Sequence, residues 1–145
     1  ETIPFYLSKL SENTKPKWGT MTPQHMVEHL EFTYRIASGE MQNFDIATPE
    51  EYIEKVQATL WDFNPMPQGY KMPLMNDNEL EDLNHPDLET AKQKMLEARE
   101  EYLEYFKENP DSLQKNAVFG YLNRYEWYLL ERKHLNHHFN QFGLL

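Results

Sequence analysis

The sequence predicts an all-α protein, an up-down four-helix bundle with one long connecting loop rich in proline and methionine. Four segments carry helix-capping residues at their starts or apolar residues that recur every three or four positions, as amphipathic helices do. Strand signals are weak by comparison. A chain of 145 residues is long enough to bury one core, so residues 1–145 are predicted to form a single domain.

The first half of the chain contains two helix starts of the same kind. After a short predicted helix over Pro4–Leu10, Thr22 has the character of an N-cap, with proline at the first helical position. That helix is predicted to run to Ser38 and to end at Gly39. A second helix is predicted from an N-cap at Thr48 to about residue 61, with a capping box completed three residues after the cap.

The segment Asp62–Pro86 is different. It has four prolines and one glycine with methionines between them, and it shows neither a helix nor a strand period. Loops of this length in a compact domain are usually functional or mobile. Two interpretations stay open. The segment can be a lid over a site, because methionine adapts to irregular apolar ligands, or a covering strap that completes the core.

Two helices are predicted in the second half of the chain. The first spans Asp87–Glu108 and ends before Asn109-Pro110. After a predicted loop over Ser112–Gly120, the last helix starts at an N-cap, Asn123, and reaches Phe142. The apolar stripe of the earlier helix consists of Leu88, Ala91, Met95, Ala98, Tyr102 and Tyr105.

Composition excludes several classes of function. The net charge of −10 argues against nucleic acid and anionic membranes as partners, because both need a basic surface. No apolar run reaches the length of a membrane span, and no signal peptide is recognisable. The absence of cysteine excludes disulfides, thiolate zinc sites and cysteine nucleophiles, and a cytoplasmic location is expected.

Histidines provide the clearest functional signal. Five of six lie in two predicted helical stretches, TPQHMVEHL and ERKHLNHHFNQFG, and each stretch contains an HxxxH spacing that puts two imidazoles on one helix face. Helical wheels place His29 near the centre of one apolar stripe and His134 and His138 within the other, while His137 lies at the stripe edge. A lone inward histidine is usually a packed core residue, but several together need a shared cation to satisfy their nitrogens.

Other polar residues allow more than one interpretation. His85 precedes a proline and is interpreted as an ordinary loop residue. Glu131 lies one turn before His134 and can be a metal ligand, a general base, a partner of an imidazole N–H or a solvated surface glutamate. Gln141 can orient a ligand or cap inner polar atoms.

The segments WGTMTPQHMVEHL and FGYLNRYEWYLLERKHLNHHFNQFG resemble the DinB-like (DinB/YfiT) metalloprotein superfamily, and a bacterial branch of it that ends in HLxHHxxQFG. The resemblance covers nearly the whole chain. It implies a four-helix bundle with three histidine ligands, matched here by His29, His134 and His138. It also implies a divalent metal, zinc first and nickel or iron as alternatives, and in some relatives a low-molecular-weight thiol cofactor.

These inferences predict a metal-dependent enzyme that activates water or a small thiol against a small electrophilic substrate, with Glu131 or His137 as the proton shuttle. The alternative is a non-catalytic metal- or ligand-binding bundle, for example an accessory domain of an enzyme that degrades aromatic compounds. A homodimer formed through an exposed aromatic helix face is compatible with either function.

Overall fold

A computed structural model describes residues 2–70 and 80–145 and shows a mostly helical protein. The predicted loop methionines and proline at positions 72, 73 and 75 lie outside the described residues. A 3-10 turn over Thr59–Trp61 follows the third helix. The helices and strands are α1 (Ile3–Ser8), α2 (Pro23–Ala37), α3 (Glu50–Ala58), α4 (Leu88–Glu108), β1 (Gln114–Asn116), β2 (Gly120–Leu122) and α5 (Arg124–Gln141).

Capping residues begin three of the helices where the sequence predicts. The Thr22 hydroxyl accepts a hydrogen bond from the His25 backbone N–H at the start of α2. Asn123 and Glu126 form a complete capping box at the start of α5. Asp87 caps α4 through the Thr90 N–H, one residue before the first helical position. Each cap satisfies a backbone donor that has no partner inside its helix.

Helix α3 corrects one prediction. Pro49, not Thr48, is the N-cap, and no side chain caps this helix, so the predicted capping box is absent. The reason is the backbone of Pro49, whose ψ of 143° is extended and keeps this residue outside the helix. The end of the segment agrees with the prediction, because the 3-10 turn that continues α3 reaches Trp61.

A small antiparallel hairpin corrects a second prediction. Strands β1 and β2 pair Gln114 with Leu122 and Asn116 with Gly120, in a region where the sequence predicts a loop. The Trp127 indole N–H donates to the Gln114 carbonyl at 3.1 Å and fixes the hairpin against the start of α5. Strands of three residues are too short to show the alternation from which strands are predicted.

The core lies between α2, α4 and α5. Helix α3 contributes no fully buried side chain, so the predicted four-helix bundle is not confirmed, although the mostly helical class is. Among the described residues, no helix combines the length and the apolar composition that a membrane span requires. The largest fully buried side chains of the three core helices are Met26, Val27, Leu30, Tyr34, Met95 and Trp127.

The described parts of the Asp62–Pro86 segment are held to two helices. The Lys133 ammonium on α5 donates to the Thr59 and Asn64 carbonyls, each at 2.9 Å, and pairs with the Asp62 carboxylate at 2.8 Å. At the other end, the Glu28 carboxylate on α2 accepts the backbone N–H of Asn84 at 2.7 Å. These anchors favour the covering strap over the lid for the described parts of the segment.

Candidate metal centre

Three imidazoles from two helices meet inside the protein. The Nε2 atom of His134 lies 2.8 Å from Nε2 of His29 and 3.0 Å from Nε2 of His138. One nitrogen from each ring lies within 4.8 Å of the other two. The structure therefore brings together the three residues that the helical wheels and the family resemblance both selected.

Local sequence explains why these rings converge. His134 and His138 are four residues apart on α5, so their side chains lie one turn apart on the same face. His29 lies in the middle of α2, which packs beside α5 in the core. The caps at Thr22 and Asn123 fix where each helix begins and thereby which residues face inward.

A chain of hydrogen bonds sets the orientation of His138. Its Nδ1 lies 2.7 Å from Gln141 Oε1, while Gln141 Nε2 donates to the Trp18 carbonyl at 3.0 Å. Because the amide oxygen can only accept, His138 Nδ1 carries the hydrogen. In the neutral ring, Nε2 then has a free lone pair directed at the other two histidines.

Gly19 allows this arrangement. Its φ of +78° is in the left-handed region, and a Cβ at this position would lie 3.0 Å from Gln141 Nε2. The turn that carries the Trp18 carbonyl can therefore approach the end of α5 only with glycine at residue 19.

The donor set fits a divalent cation. Nitrogens about 2.0–2.1 Å from a tetrahedral zinc lie about 3.3 Å apart, so His134 Nε2 needs to move away from its two neighbours by only a few tenths of an ångström. Without a cation, a hydrogen on His134 Nε2 can satisfy only one of its two neighbouring lone pairs. Three imidazoles in this arrangement could hold a metal ion, and zinc, nickel and iron all accept this ligand type.

Burial keeps the three rings neutral. His134 and His138 are each 6% exposed, and His29 is partly exposed. Loss of solvation lowers the pKa of His29 to about 4 and that of His138 to about 3, and lowers the pKa of His134 well below its ordinary value. Neutral imidazole is the form that binds metal.

His25 and His85 are not part of the triad. Both anchor the loop instead. His25 Nδ1 lies 2.6 Å from the Thr22 hydroxyl, and its Nε2 lies 2.8 Å from the Glu81 carbonyl. His85 is more than an ordinary loop residue, because its Nε2 lies 2.6 Å from a Glu31 carboxylate oxygen. Both rings hold the strap to α2 and are unavailable to a metal at the triad.

His137 is a neighbour of the triad. Its ring centroid lies 4.9 Å from that of His138 and 5.5 Å from that of Trp18. It is half-buried, which lowers its pKa, while a hydrogen bond to the Met66 backbone acts in the opposite direction. His137 therefore connects the strap to the edge of the site, as its position on the helical wheel indicated.

Glu131 belongs to different surroundings. It is 3% exposed, so the interpretation as a solvated glutamate is wrong. Its Oε2 lies 3.3 Å from the Thr33 hydroxyl, its Oε1 has no partner, and within the described residues no hydrogen bond joins it to an imidazole. Burial raises the pKa of Glu131 to about 8, against a smaller opposing effect of Thr33.

Sequence reasoning missed the cavity that this carboxyl group lines. The cavity has a volume of about 310 Å³, and no histidine lines it. Its polar lining includes tyrosines and arginines on four helices, which no local motif connects. In the sequence, Tyr102 was visible only as one member of an apolar stripe.

Comparison of the chain with protein-family models, with curated proteins and with solved structures found no match in any of the three.

Proposed function

We propose that His29, His134 and His138 bind a divalent metal, zinc in the first place, and that the protein is a metal-dependent enzyme. In this proposal water or a low-molecular-weight thiol attacks a small electrophilic substrate. The observation that carries it is the convergence of three Nε2 atoms from helices that lie far apart in the sequence. Nickel and iron remain alternatives, because ligand type alone does not select among these metals.

The resemblance to the DinB-like superfamily supports the same proposal. The early HxxxH stretch and the C-terminal HLNHHFNQFG motif supply the three imidazoles that this resemblance implies. Membership of that superfamily is part of the proposal and depends on those motifs and on the geometry of the triad. A set of three protein ligands leaves room for a substrate or a nucleophile, as in catalytic zinc sites.

The chain's own residues have separable roles in this proposal. A divalent cation would supply Lewis acidity, which makes water or a thiol easier to deprotonate and polarises a substrate oxygen. Gln141 holds His138 in the tautomer whose Nε2 lone pair is free. His137 is better placed than Glu131 to move a proton, because its ring adjoins His138 whereas the Glu131 carboxyl contacts Thr33.

A second candidate is a non-catalytic metal- or ligand-binding module. The burial of His134 and His138, each 6% exposed, favours it, since a buried set of ligands restricts the approach of a substrate. In either case we propose a small molecule as the natural partner, and a homodimer of this chain is compatible with both.

Metal content of purified variants tests the ligand assignment. We expect about one equivalent of divalent metal in the wild type after growth in zinc-supplemented medium, and a loss of at least tenfold in His29→Ala and His134→Ala. His25→Ala is the matched control, because it removes an imidazole one turn away on the same helix. Full metal content in His134→Ala, or an empty wild type after supplementation, would contradict the proposed site.

Activity separates the enzyme from the binding module. Zinc-loaded wild type and His134→Ala are assayed with activated esters and with thiols plus small electrophiles, at equal concentrations and with circular dichroism as a check on folding. The enzyme proposal expects turnover that is lost on chelation and recovered on adding zinc. Bound metal with no chelation-sensitive turnover in either assay would favour the binding module.

A further inference from the structure

The cavity that Glu131 lines is a candidate for a second binding site. We call it the tyrosine–arginine pocket. It has a volume of about 310 Å³, at the lower end of the range for small-molecule sites. The residues that matter for its chemistry are Tyr34, Arg99, Tyr102, Tyr128, Glu131 and Arg132.

The inner end of the pocket has polar groups without partners. The Tyr34 hydroxyl and Glu131 Oε1 are fully buried and have no hydrogen-bond partner, and these residues are only 1% and 3% exposed. The Arg99 guanidinium lies close to the Tyr34 hydroxyl, and its interaction with that hydroxyl opposes the rise in the pKa of Tyr34 that burial causes. Unsatisfied buried polar groups cost about 1–3 kcal/mol each, so a molecule that pairs with them has a ready source of affinity.

The pocket has an excess of positive charge. Within the part of the chain that the structure describes, neither Arg99 nor Arg132 forms an ion pair. This is unusual in a protein with a net charge of −10, where carboxylates outnumber cations. Since no carboxylate is paired with either guanidinium group, both can bind an anion, and arginine is well suited to a planar carboxylate.

The one side-chain carboxyl group in the pocket lining does not cancel this charge. The Thr33 hydroxyl donates to the Leu30 carbonyl at 2.9 Å and, in a longer contact, to Glu131 Oε2 at 3.3 Å, so Thr33 stabilises a charge on Glu131 only weakly. Burial acts in the same direction, since it raises the pKa of this carboxyl group.

Most of the remaining lining residues are apolar, and Asn136 is the polar exception. Leu103 and Leu135 line the pocket together with the rings of Tyr102 and Tyr128. Tyr102 is 4% exposed and Tyr128 is 54% exposed, so the cavity runs from a buried end near Tyr34 to an open mouth at Tyr128 and Arg132. A ligand that fills this space needs an apolar body as well as a charged group.

We propose that the tyrosine–arginine pocket binds a small organic monocarboxylate with an apolar body. Arg99 and the Tyr34 hydroxyl take the carboxylate, Arg132 supplies further positive charge at the mouth, and the apolar body contacts Tyr102 and Leu135. The site is separate from the histidine triad, so binding at this pocket does not require a metal.

Phenylacetate and its uncharged analogue phenylacetamide are suitable probes, because they match in size and differ in charge. The full chain is treated with EDTA, which prevents the carboxylate from binding a metal at the triad, and titrated by NMR and calorimetry. We expect saturable binding of phenylacetate with a Kd below about 1 mM. Binding of phenylacetamide is expected to be at least tenfold weaker.

Variants locate the binding site. Arg99→Gln should weaken phenylacetate binding at least tenfold and Arg132→Gln about threefold. Arg124→Gln is the matched control, since this arginine is on α5 but outside the pocket, where it donates to the Tyr125 hydroxyl. Tyr34→Phe should weaken binding threefold to tenfold, because it removes a hydroxyl that takes the carboxylate.

Several results would overturn the proposal. One is the absence of saturable phenylacetate binding up to 10 mM, and another is equal affinity for phenylacetamide. The others are unchanged phenylacetate affinity in both Arg99→Gln and Arg132→Gln, and binding that appears only after zinc is added. A structure determined with phenylacetate that shows only water in the pocket would also overturn it. Should Tyr34→Phe fold poorly, the two arginine variants still decide the outcome.

Discussion

Replacing Glu131 with glutamine tests the electrostatic description of the core most directly. The substitution keeps the size and shape of the side chain and removes its ability to ionise. Glu131 is 3% exposed, one of its oxygens has no partner, and burial raises its pKa from 4.5 to about 8. The folded protein therefore keeps a proton at this position over a pH range in which the unfolded chain has lost it.

The sign and size of the effect follow from proton linkage. Because the folded state binds the extra proton, the free energy of unfolding falls as the pH rises from about 4.5 to about 8 and levels off above this range. One pKa unit corresponds to about 1.36 kcal/mol, so the whole window represents about 5 kcal/mol. Between pH 5 and pH 7.5 the wild type should lose about 3 kcal/mol through this one group.

The difference between wild type and Glu131→Gln isolates that contribution. Both proteins are unfolded with urea in EDTA at pH 5, 6, 7 and 7.5, and the free energies of unfolding are subtracted at each pH. The stability advantage of the variant should grow by about 3 kcal/mol across the series. Glu100→Gln is the control, because Glu100 is exposed on α4, and its difference from wild type should stay flat within about 0.5 kcal/mol.

A flat difference between wild type and Glu131→Gln would refute the reasoning. It would mean that Glu131 has the same pKa in the folded and unfolded states, either because water reaches the carboxyl or because a cation pairs with it. A difference that changes in the opposite direction would mean that a nearby positive charge stabilises the carboxylate, which would also remove the argument for a protonated Glu131 in the tyrosine–arginine pocket.

Three further predictions concern the metal centre and the helices. Gln141→Ala should weaken zinc binding about tenfold in competition with a chromophoric chelator, because His138 loses the acceptor that fixes its tautomer, whereas the exposed Asn140→Ala should not. Zinc at 100 times its Kd should stabilise the wild type by about 2.7 kcal/mol in urea unfolding and should leave His29→Ala unchanged. Asn123→Ala should cost about 1 kcal/mol in the same assay, through loss of the α5 cap, and unchanged stability would contradict the importance of the capping box.

Short-range signals account for what the sequence could predict. The caps at Thr22 and Asn123 depend on residues within one turn, and the positions of α2 and α5 follow from them. Once both helices are positioned, the 100° step of the α-helix determines that His29, His134 and His138 face inward. The meeting of their nitrogens needs only that the two inner faces pack together.

The features that were missed depend on contacts between distant segments. The hairpin of β1 and β2 has strands of three residues and is held by groups from elsewhere, such as the indole of Trp127. The roles of Trp18 and Gly19 appear only when Gln141 reaches the Trp18 carbonyl across more than 120 residues of sequence. The tyrosine–arginine pocket likewise combines residues from α2, α4 and α5, and no local pattern records that combination.

The buried face of α5 connects the two proposed sites. Four of its buried residues are polar, namely Glu131, His134, His138 and Gln141, in a position where apolar side chains would stabilise the core more. Gln141 Oε1 and Nε2 each have a partner within the protein, but Glu131 Oε1 has no partner, and His134 Nε2 faces the Nε2 atoms of both other histidines. A helix that carries such groups in the core gains stability when a cation or a ligand pairs with them, because the cost of burying them is then offset. Stabilisation by zinc and by phenylacetate should therefore be additive, since the two ligands satisfy different groups on the same helix, whereas competition between them would mean that both bind at one site.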